Sequence, residues 1–319
     1  MITVALAADD AFSGQLAVCA RSLLANYPGV RGEVRFVILD GGISAGNRER
    51  IESVLNGAST AWHDCSALYT DLTEGQIGSH AAYYRLALPE LCDGERVLYL
   101  DCDIVVLGDV GVLWEADLDG CPLAAAVDYG GATAGSRQGL LNYRELGLPP
   151  DAPLFNSGVM IIDLQKWREE DISEKVRSYV ARSPEFVRWC DQDGLNAVCC
   201  GRWKALDPAW NQQAFIYGWQ SAEDGPLTAE EYERALVRPC VVHYSTRHGK
   251  PWRPDCRHPL AGLYFHYLDM TPWAGWRPAV PAAQSGGAAR KPRGPRALAG
   301  RVVRGLARRL DRLGAWIAP

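Results

Sequence analysis

The chain has 319 residues, of which 48% are hydrophobic and 22% charged, so it can bury a large core and is not disordered as a whole. Its net charge of −5 is unevenly placed, because residues 290–319 contribute +8 and leave −13 on residues 1–289. The acidic body argues against nucleic acid as the main partner, whereas the basic tail predicts contact with an anionic surface.

The first residues of the chain do not predict export or membrane insertion. Residues 1–12 carry no basic residue and only a short apolar run, which fits neither a signal peptide nor a membrane span. Ten cysteines are scattered without a C-x-x-C pair and lie in apolar runs, which favours reduced core thiols. Together these features predict a cytoplasmic protein.

Through residues 1–110, short β-rich runs alternate with amphipathic segments. The β-rich runs lie at residues 2–7, 34–39 and 97–100, and the amphipathic segments at 13–25 and 45–55. This alternation predicts an α/β fold with a largely parallel sheet. Ligands of such sheets bind beyond the carboxyl ends of the strands, so a nucleotide is expected near Ala8, Asp9 and Asp101. No G-x-G-x-x-G motif occurs, which argues against the usual dinucleotide site.

Residues 111–270 have a less regular pattern and are rich in Trp and Tyr. We interpret them as the second half of one fused domain, 1–270, whose first half binds the nucleotide. Residues 271–296 have the Pro, Gly and Ala content of a linker, and 297–319 form a basic tail.

Two carboxylates, Asp101 and Asp103, interrupt the apolar run VLYLDCDIVV. If the strand continues through them, its period of two places both carboxylates on one face and Cys102 on the other. Neighbouring carboxylates repel, and Mn²⁺ or Mg²⁺ would hold them ionised together with substrate phosphates. A D-x-D pattern also occurs by chance, as at Asp191 and Asp193, and one such Asp can simply cap a helix.

A second polar group follows the apolar run at residues 240–242. The imidazole of His243 can complete a metal site, and Gly249 with Lys250 lets backbone and ammonium approach a diphosphate. A single histidine near a strand end is more often structural. The nearby Lys250-Pro251-Trp252 favours the functional interpretation.

Six segments, in order and spacing over about residues 1–265, resemble glycosyltransferase family 8. They are Ala7-Ala8-Asp9-Asp10, Ala82-Tyr83-Tyr84-Arg85-Leu86, Asp101-Cys102-Asp103, FNSGVM at 155–160, Asp191-Gln192-Asp193-Gly194-Leu195-Asn196 and the segment 243–252. The resemblance is strongest to bacterial lipopolysaccharide and lipooligosaccharide α-galactosyltransferases. It implies a single nucleotide-sugar-transferase domain of the GT-A type with a Rossmann-like sheet.

The implied activity is Mn²⁺-dependent hexosyl transfer with retention of configuration. The donor would be UDP-galactose or UDP-glucose, and the acceptor an oligosaccharide hydroxyl on a lipid-linked glycan of the cell surface. In this reading residues 1–110 bind the nucleotide, and residues 111–270 bind the donor sugar and the acceptor.

The resemblance also implies a role for each matched residue. The metal would be held by Asp101, Asp103 and His243, and Lys250 would neutralise the donor phosphates beside the glycine contact of Gly249. The uridine would lie against Ala7, Ala8, Asp9, Phe12 and the backbone around Cys102. The donor sugar would be lined by Arg85, Asn156, Ser157, Asp191 and Gln192.

Asp191 and Gln192 are the candidate catalytic residues. Gln192 either orients the sugar or stabilises or attacks it on the face opposite the diphosphate. Because amides are poor nucleophiles, we favour a front-face substitution in which the departing phosphate oxygen takes the proton of the acceptor hydroxyl. Asp191 is more often a hydroxyl-binding carboxylate than a nucleophile, and double displacement remains open at this stage.

Two positions depart from the family pattern. The loop from His243 to Lys250 is one residue longer, and Thr246 occupies the usual glycine position, so His248 is an alternative metal ligand to His243. Ala11 stands where relatives often have Asn, which predicts that one ribose contact is lost or replaced.

Two other classes of protein fit part of the sequence. A phosphotransferase or phosphatase can use D-x-D-x-V with its first Asp as nucleophile, but that motif normally follows the first strand of its domain. A non-catalytic sugar-nucleotide-binding module fits the eleven tryptophans. It would not need three metal-type ligands beside a lysine.

The tail predicts an amphipathic helix that lies on a membrane. An apolar stripe recurs every three or four residues, and arginines cover much of the remaining surface. Such a segment is too charged to span a bilayer, but it can bind anionic lipid at the inner face of the cytoplasmic membrane. The alternative is a helix packed on the catalytic body or on another subunit. The stripe consists of Leu298, Val302, Leu306, Leu310, Leu313 and Ile317.

Overall fold

The computed structural model describes residues 1–76 and 78–279. Within these ranges, strands alternate with helices, and short 3₁₀ turns join many of them. The strands are β1 Ile2–Ala8, β2 Val34–Asp40, β3 Ser59–Asp64, β4 Arg96–Leu100, β5 Ile104–Val106, β6 Leu123–Val127, β7 Phe155–Asp163, β8 Lys204–Ala205, β9 Gln212–Gln213 and β10 Val241–His243. The helices are α1 Ser13–Asn26, α2 Ala45–Leu55, α3 Leu88–Leu91, α4 Val110–Trp114, α5 Leu164–Glu169, α6 Ile172–Arg182, α7 Asp191–Cys199, α8 Ala229–Val237 and α9 Ala261–Leu268.

Seven strands form the main sheet, in the order β3-β2-β1-β4-β7-β6-β8. The four strands from β3 to β4 pair in parallel, β7 runs antiparallel to both β4 and β6, and β8 is parallel to β6. The prediction of an α/β fold with a largely parallel sheet is therefore confirmed. The five runs predicted in residues 1–110 correspond to β1, α1, β2, α2 and β4.

The sheet forms where it does because its strands are apolar on both faces. In β1, Val4 and Leu6 belong to one buried cluster, whereas Ala5 and Ala7 belong to another on the opposite face. This alternation is the expected period of two, and burial of both faces explains why the strands read as continuous apolar runs. Edge strand β3 lacks such a run, so its sequence did not predict it.

The D-x-D segment forms a turn and not the predicted strand. β4 ends at Leu100 and β5 begins at Ile104, so Asp101 and Asp103 lie where the chain leaves the main sheet. The Asp101 N–H donates to the carbonyl of Gly158, and the Asp103 carbonyl accepts from the Tyr244 N–H. The expectation that strand alternation orients the two carboxylates was therefore wrong, because this turn between two sheets sets their positions.

A second, three-stranded sheet has the order β5-β10-β9. β10 runs antiparallel to β5, and its last residue, His243, pairs with Ile104. Because Ile104 directly follows the D-x-D turn, this register places the imidazole beside the two carboxylates. Two elements about 140 residues apart along the chain thus meet at one point.

The last described residues fold back on the body of the protein. The Trp273 ring lies against Gly14 in the first turn of α1, and Arg277 forms an ion pair with Asp269 after α9. In the described part of the chain, every helix is too short or too polar to cross a bilayer. The predicted amphipathic tail, 297–319, lies outside the described residues.

Candidate active site

Asp101, Asp103 and His243 form a cluster at the junction of the two sheets. One ligand atom from each residue lies within 4.8 Å of the other two. His243 Nε2 is 3.2 Å from Asp103 Oδ1 and 3.9 Å from Asp101 Oδ2. His248 lies elsewhere, since its side chain is 57% exposed and its Nδ1 pairs with Asp255. The structure therefore brings His243, and not His248, to the carboxylate pair.

The other nitrogen of His243 lies inside the protein. His243 Nδ1 is 2.9 Å from the side-chain oxygen of Asn211, which is fully buried at the end of the 3₁₀ turn Pro208–Asn211. Histidines that bind metals commonly hold their second nitrogen in such a hydrogen bond, which orients the ring. Asn211 is therefore part of the site, although its sequence surroundings gave no indication of it.

Lys250 lies against the same cluster. Its Nζ is 2.5 Å from Asp103 Oδ2, and the Asp103 side chain is only 12% exposed. Burial alone would raise the pKa of Asp103, but the nearby Lys250 and His243 outweigh that effect and lower the pKa below its usual range. Asp103 is thus held as a carboxylate. The structure thus places the expected phosphate-binding Lys250 beside this carboxylate.

Arg85 connects the cluster to a third carboxylate. Its Nη2 donates to Asp101 Oδ1 at 2.9 Å, and its Nε lies 3.1 Å from Asp191 Oδ2. A further bond, from Nη1 to the Ser157 carbonyl, and the face of Tyr99 at 4.0 Å fix the guanidinium. Burial disfavours the charge, but the two carboxylates and Tyr99 raise the pKa of Arg85. One buried cation thus lies between two acids.

Asp191 is buried at the first position of α7. Burial raises the pKa of Asp191 to about 7, against the opposing effect of Arg85. The opposing effect of Arg85 is limited because Arg85 also pairs with Asp101, and the negative charge of Asp101 itself raises the pKa of Asp191. The residue before the helix, Cys190, has φ 52°, in the left-handed region that side chains with a Cβ rarely adopt. Asp193, the other acid of this D-x-D, accepts from the Arg188 and Trp189 N–H groups and caps the turn.

A network of amides joins Gln192 to β7. Gln192 Oε1 lies 3.1 Å from the Ser157 N–H and 3.1 Å from Asn156 Nδ2. Gln192 Nε2 and Asn156 Nδ2 both donate to Asp128 Oδ2, each at 3.1 Å. The structure thus brings together Asn156, Ser157 and Gln192, as the resemblance implies, and adds Asp128, which the sequence analysis missed.

Gly158 has no room for a side chain. A Cβ there would lie 2.5 Å from His243 Cε1 and 2.8 Å from Asp101 Oδ2. β7 therefore passes directly beneath the cluster, and only glycine allows this approach. The motif FNSGVM contained this glycine, but nothing local in the sequence connects it to His243.

The residues expected around uridine lie at the carboxyl end of β1. Ala7 and Ala8 are its last residues, and Cys102 Sγ donates to the Ala7 carbonyl at 3.1 Å. The Asp9 carboxylate accepts from the Phe12 N–H and so caps the 3₁₀ turn Asp10–Phe12. The Phe12 ring meets the Trp252 ring edge to face, with centroids 5.9 Å apart. These residues reach the same edge of the sheet as the cluster.

Gly249 lies in the loop that carries Lys250. It is buried, and a Cβ there would lie 2.8 Å from Thr246 Oγ1 and 3.0 Å from the Ala214 methyl group. Thr246, which stands at the family's glycine position, thus packs against Gly249. The lengthened loop keeps a close backbone contact at this point.

The cluster fits a divalent cation. Two carboxylates and one imidazole are oxygen and nitrogen donors of the kind that Mn²⁺ accepts. Three features hold these donors together. They are the close approach of β7 at Gly158, the buried Nδ1 contact of His243, and the positive charges of Lys250 and Arg85.

Comparisons with known proteins identify the family of the chain. A family model described as Glycosyl transferase family 8 matches residues 3–256. General stress protein A of Bacillus subtilis (strain 168) is 34% identical over 274 residues, which cover 83% of this chain and 92% of that protein. Lipopolysaccharide 1,2-glucosyltransferase of Escherichia coli (strain K12) is 29% identical over 200 residues, which cover 62% of this chain and 56% of that protein.

A solved structure has a closely similar fold. The galactosyltransferase LgtC, in complex with donor and acceptor sugar analogues, has a TM-score of 0.72 at 26% identity. The match covers 88% of this chain and 98% of LgtC. The fold is therefore of the GT-A type seen in that protein.

Proposed function

The chain belongs to glycosyltransferase family 8 and is a retaining glycosyltransferase, and from that premise we propose that it moves galactose or glucose from a UDP-sugar to a glycan hydroxyl, with Mn²⁺ or Mg²⁺ as cofactor. The observation that carries the proposal is the meeting of Asp101, Asp103 and His243 within 4.8 Å, with Lys250 beside them. A non-catalytic binding module does not need this combination.

In the proposed site, Asp101, Asp103 and His243 would hold the metal ion. When bound, the ion supplies Lewis-acid stabilisation of the charge that develops on the departing diphosphate. Lys250 moves its ammonium group from Asp103 to the phosphates, where it neutralises part of their charge. No protein general acid is then needed at the phosphate.

The donor sugar is proposed to lie between Arg85, Asn156, Ser157, Asp191 and Gln192. Both lone pairs of Gln192 Oε1 already accept hydrogen bonds, from the Ser157 N–H and Asn156 Nδ2. This supports a Gln192 that orients the sugar through its remaining N–H and argues against attack by its oxygen. LgtC itself has a glutamine-to-glutamate variant described as an active-site mutant. The front-face route, in which the leaving phosphate oxygen takes the acceptor proton, therefore remains the proposal.

The nucleotide is proposed to bind at the end of β1. Ala7, Ala8 and Asp9 with the backbone around Cys102 form its cradle, and Phe12 supplies an aromatic surface for uracil. Gly249 allows the loop backbone to approach the diphosphate. We accordingly assign residues 1–110 to nucleotide binding and 111–270 to the donor sugar and the acceptor. The proposed linker, 271–296, begins in residues that pack on the body.

The acceptor is proposed to be an oligosaccharide of the lipopolysaccharide type, built on a lipid. The likeness to Escherichia coli lipopolysaccharide 1,2-glucosyltransferase supports this class. The basic tail, 297–319, would hold the enzyme on the inner face of the cytoplasmic membrane, where such acceptors are assembled.

The test is release of UDP from UDP-galactose and UDP-glucose, with and without Mn²⁺, in the absence of acceptor. Mn²⁺-dependent UDP release, lowered at least about 100-fold in Asp103→Asn, is expected, because the metal provides several kcal/mol of charge stabilisation. Free phosphate from a phosphomonoester would instead identify the phosphatase. The absence of both activities would leave a binding module.

A further inference from the structure

A continuous chain of buried hydrogen bonds runs from the backbone of β7 to His243. The Gly158 N–H donates to Asn156 Oδ1 at 3.1 Å, and Asn211 Nδ2 donates to the same oxygen at 2.9 Å. Asn211 Oδ1 then faces His243 Nδ1 at 2.9 Å. Asn156, Asn211 and His243 are at most 9% exposed, so water does not compete freely for these bonds.

The two ends of this chain fix the orientation of the first amide. A backbone N–H can only donate, so the Asn156 atom that faces Gly158 must be its oxygen. The opposite end of the amide faces the Asp128 carboxylate oxygen at 3.1 Å, which requires an N–H. A reversed Asn156 would place two donors together at Gly158 and two acceptors together at Asp128.

The second amide follows from the first. Because the oxygen of Asn156 points at Asn211, Asn211 must present its NH₂ group to it. The Asn211 oxygen is then turned toward His243, and an oxygen there requires a proton on Nδ1. In the neutral ring, Nε2 is left without a proton. Its lone pair points to Asp103 and Asp101, 3.2 and 3.9 Å away.

We infer that Asn211, oriented by Asn156, is a positioning residue that holds His243 in the tautomer with its proton on Nδ1. The inference deepens the metal site of the proposed function, because only a bare Nε2 can bind an ion. Without Asn211, the ring would gain by placing its proton on Nε2 and donating it to Asp103, which would block that nitrogen.

The first test needs neither metal nor substrate. The ¹⁵N spectrum of the histidine ring nitrogens is recorded on the full-length, metal-free protein at alkaline pH. The expected result is a protonated Nδ1 and a bare Nε2 for His243, assigned by comparison with His243→Gln. A proton on Nε2 in the wild-type protein would overturn the inference.

The second test uses Asn211→Ala, with Asn142→Ala as the matched control. Asn142 also has a buried amide, 6% exposed, but its oxygen accepts a hydrogen bond from the Tyr179 hydroxyl. It takes no part in the hydrogen bonds that lead to His243. Asn211→Ala should move the proton of His243 to Nε2 and weaken Mn²⁺ binding by about 10- to 100-fold. Mn²⁺ binding is measured from the electron spin resonance signal of free Mn²⁺. Asn142→Ala should change neither quantity.

Equal Mn²⁺ affinity in Asn211→Ala and the wild type would contradict the positioning role. If Asn211→Ala does not fold, the wild-type spectrum still decides the tautomer. If the protein shows the expected tautomer but releases no UDP, the proposed function is wrong, whereas the inference about Asn211 still holds.

Discussion

At the scale of single residues, the site depends on a position that carries no side chain. Gly158→Ala would place a methyl group 2.5 Å from His243 and 2.8 Å from Asp101, so the cluster must open. Because displacement of reacting groups by about 1 Å can cost about 100-fold in rate, we expect a loss of that order in UDP-sugar turnover. The measurement is steady-state turnover with saturating Mn²⁺, together with a thermal unfolding curve to confirm that the variant is folded.

The matched control is Gly46→Ala. Gly46 lies in α2, and a Cβ there meets nothing within 4 Å. This variant should keep full turnover and gain up to about 1 kcal/mol of stability from helix propensity. Near-native turnover in Gly158→Ala would show that the cluster is not the site of reaction.

The buried Asp191 predicts a characteristic dependence of stability on pH. Burial raises its pKa from 3.8 to about 7 in the folded protein. The unfolded chain therefore loses this proton first, and the contribution of Asp191 to stability is full below about pH 4 and is lost as the pH rises through about 7. The free energy of unfolding of the wild type, relative to Asp191→Asn, should fall across that interval by at most about 4 kcal/mol, at about 1.4 kcal/mol per pKa unit.

The measurement is urea unfolding of both proteins between about pH 4 and 8. Loss of contacts in the variant shifts the difference by a constant amount, so only its slope with pH tests the argument. A difference that stays constant, or that rises with pH, would show that Arg85 keeps Asp191 ionised throughout.

At the scale of elements, α7 can present Gln192 only because it packs closely on α6. A Cβ at Gly194 would lie 2.7 Å from Val176 Cγ1 and 3.3 Å from Val180 Cγ2. Gly194→Ala should therefore destabilise the protein by about 1–3 kcal/mol through overpacking and lower turnover as α7 shifts. Val176→Ala in the same chain removes the nearer methyl group and should recover part of both losses.

A double-mutant cycle on the free energy of unfolding checks this coupling. The double variant should be less destabilised than the sum of Gly194→Ala and Val176→Ala. Additive effects would mean that the two helices do not constrain each other at this contact.

The elements that the sequence predicted are those whose signal is local. β1, β2 and β4 are apolar on both faces, and α1 and α2 have helical periodicity, so each was found within a residue or two of its observed bounds. The D-x-D turn was missed because its apolar flanks suggest one unbroken strand. Its geometry depends on a change of sheet, which only distant pairing partners determine.

The candidate site residues likewise fall into those with a local sequence signal and those without one. Those in family motifs were found by resemblance, and the structure gathers them at one edge of the sheet. Asp128 and Asn211 were missed because each follows a short strand or turn without periodicity. Their importance arises from hydrogen bonds with the side-chain amide of Asn156, which lies 28 residues after Asp128 and 55 residues before Asn211.

At the scale of the whole molecule, the basic tail is proposed to direct the enzyme to its acceptor. Deletion of residues 290–319 should lower co-sedimentation with anionic vesicles, because it removes a charge of +8. Transfer to a small soluble acceptor should survive. Unchanged vesicle binding would reject the anchor, and loss of soluble transfer would favour a tail packed on the catalytic body.

The central claim is that this site transfers a hexose with retention of configuration. Its most direct test is the NMR anomeric signature of the product formed from an α-linked UDP-galactose or UDP-glucose with Mn²⁺ and a truncated lipopolysaccharide acceptor. The account predicts an α-linked product that is absent without Mn²⁺ and absent with Asp101→Asn. A β-linked product, or an equal yield from Asp101→Asn, would contradict it.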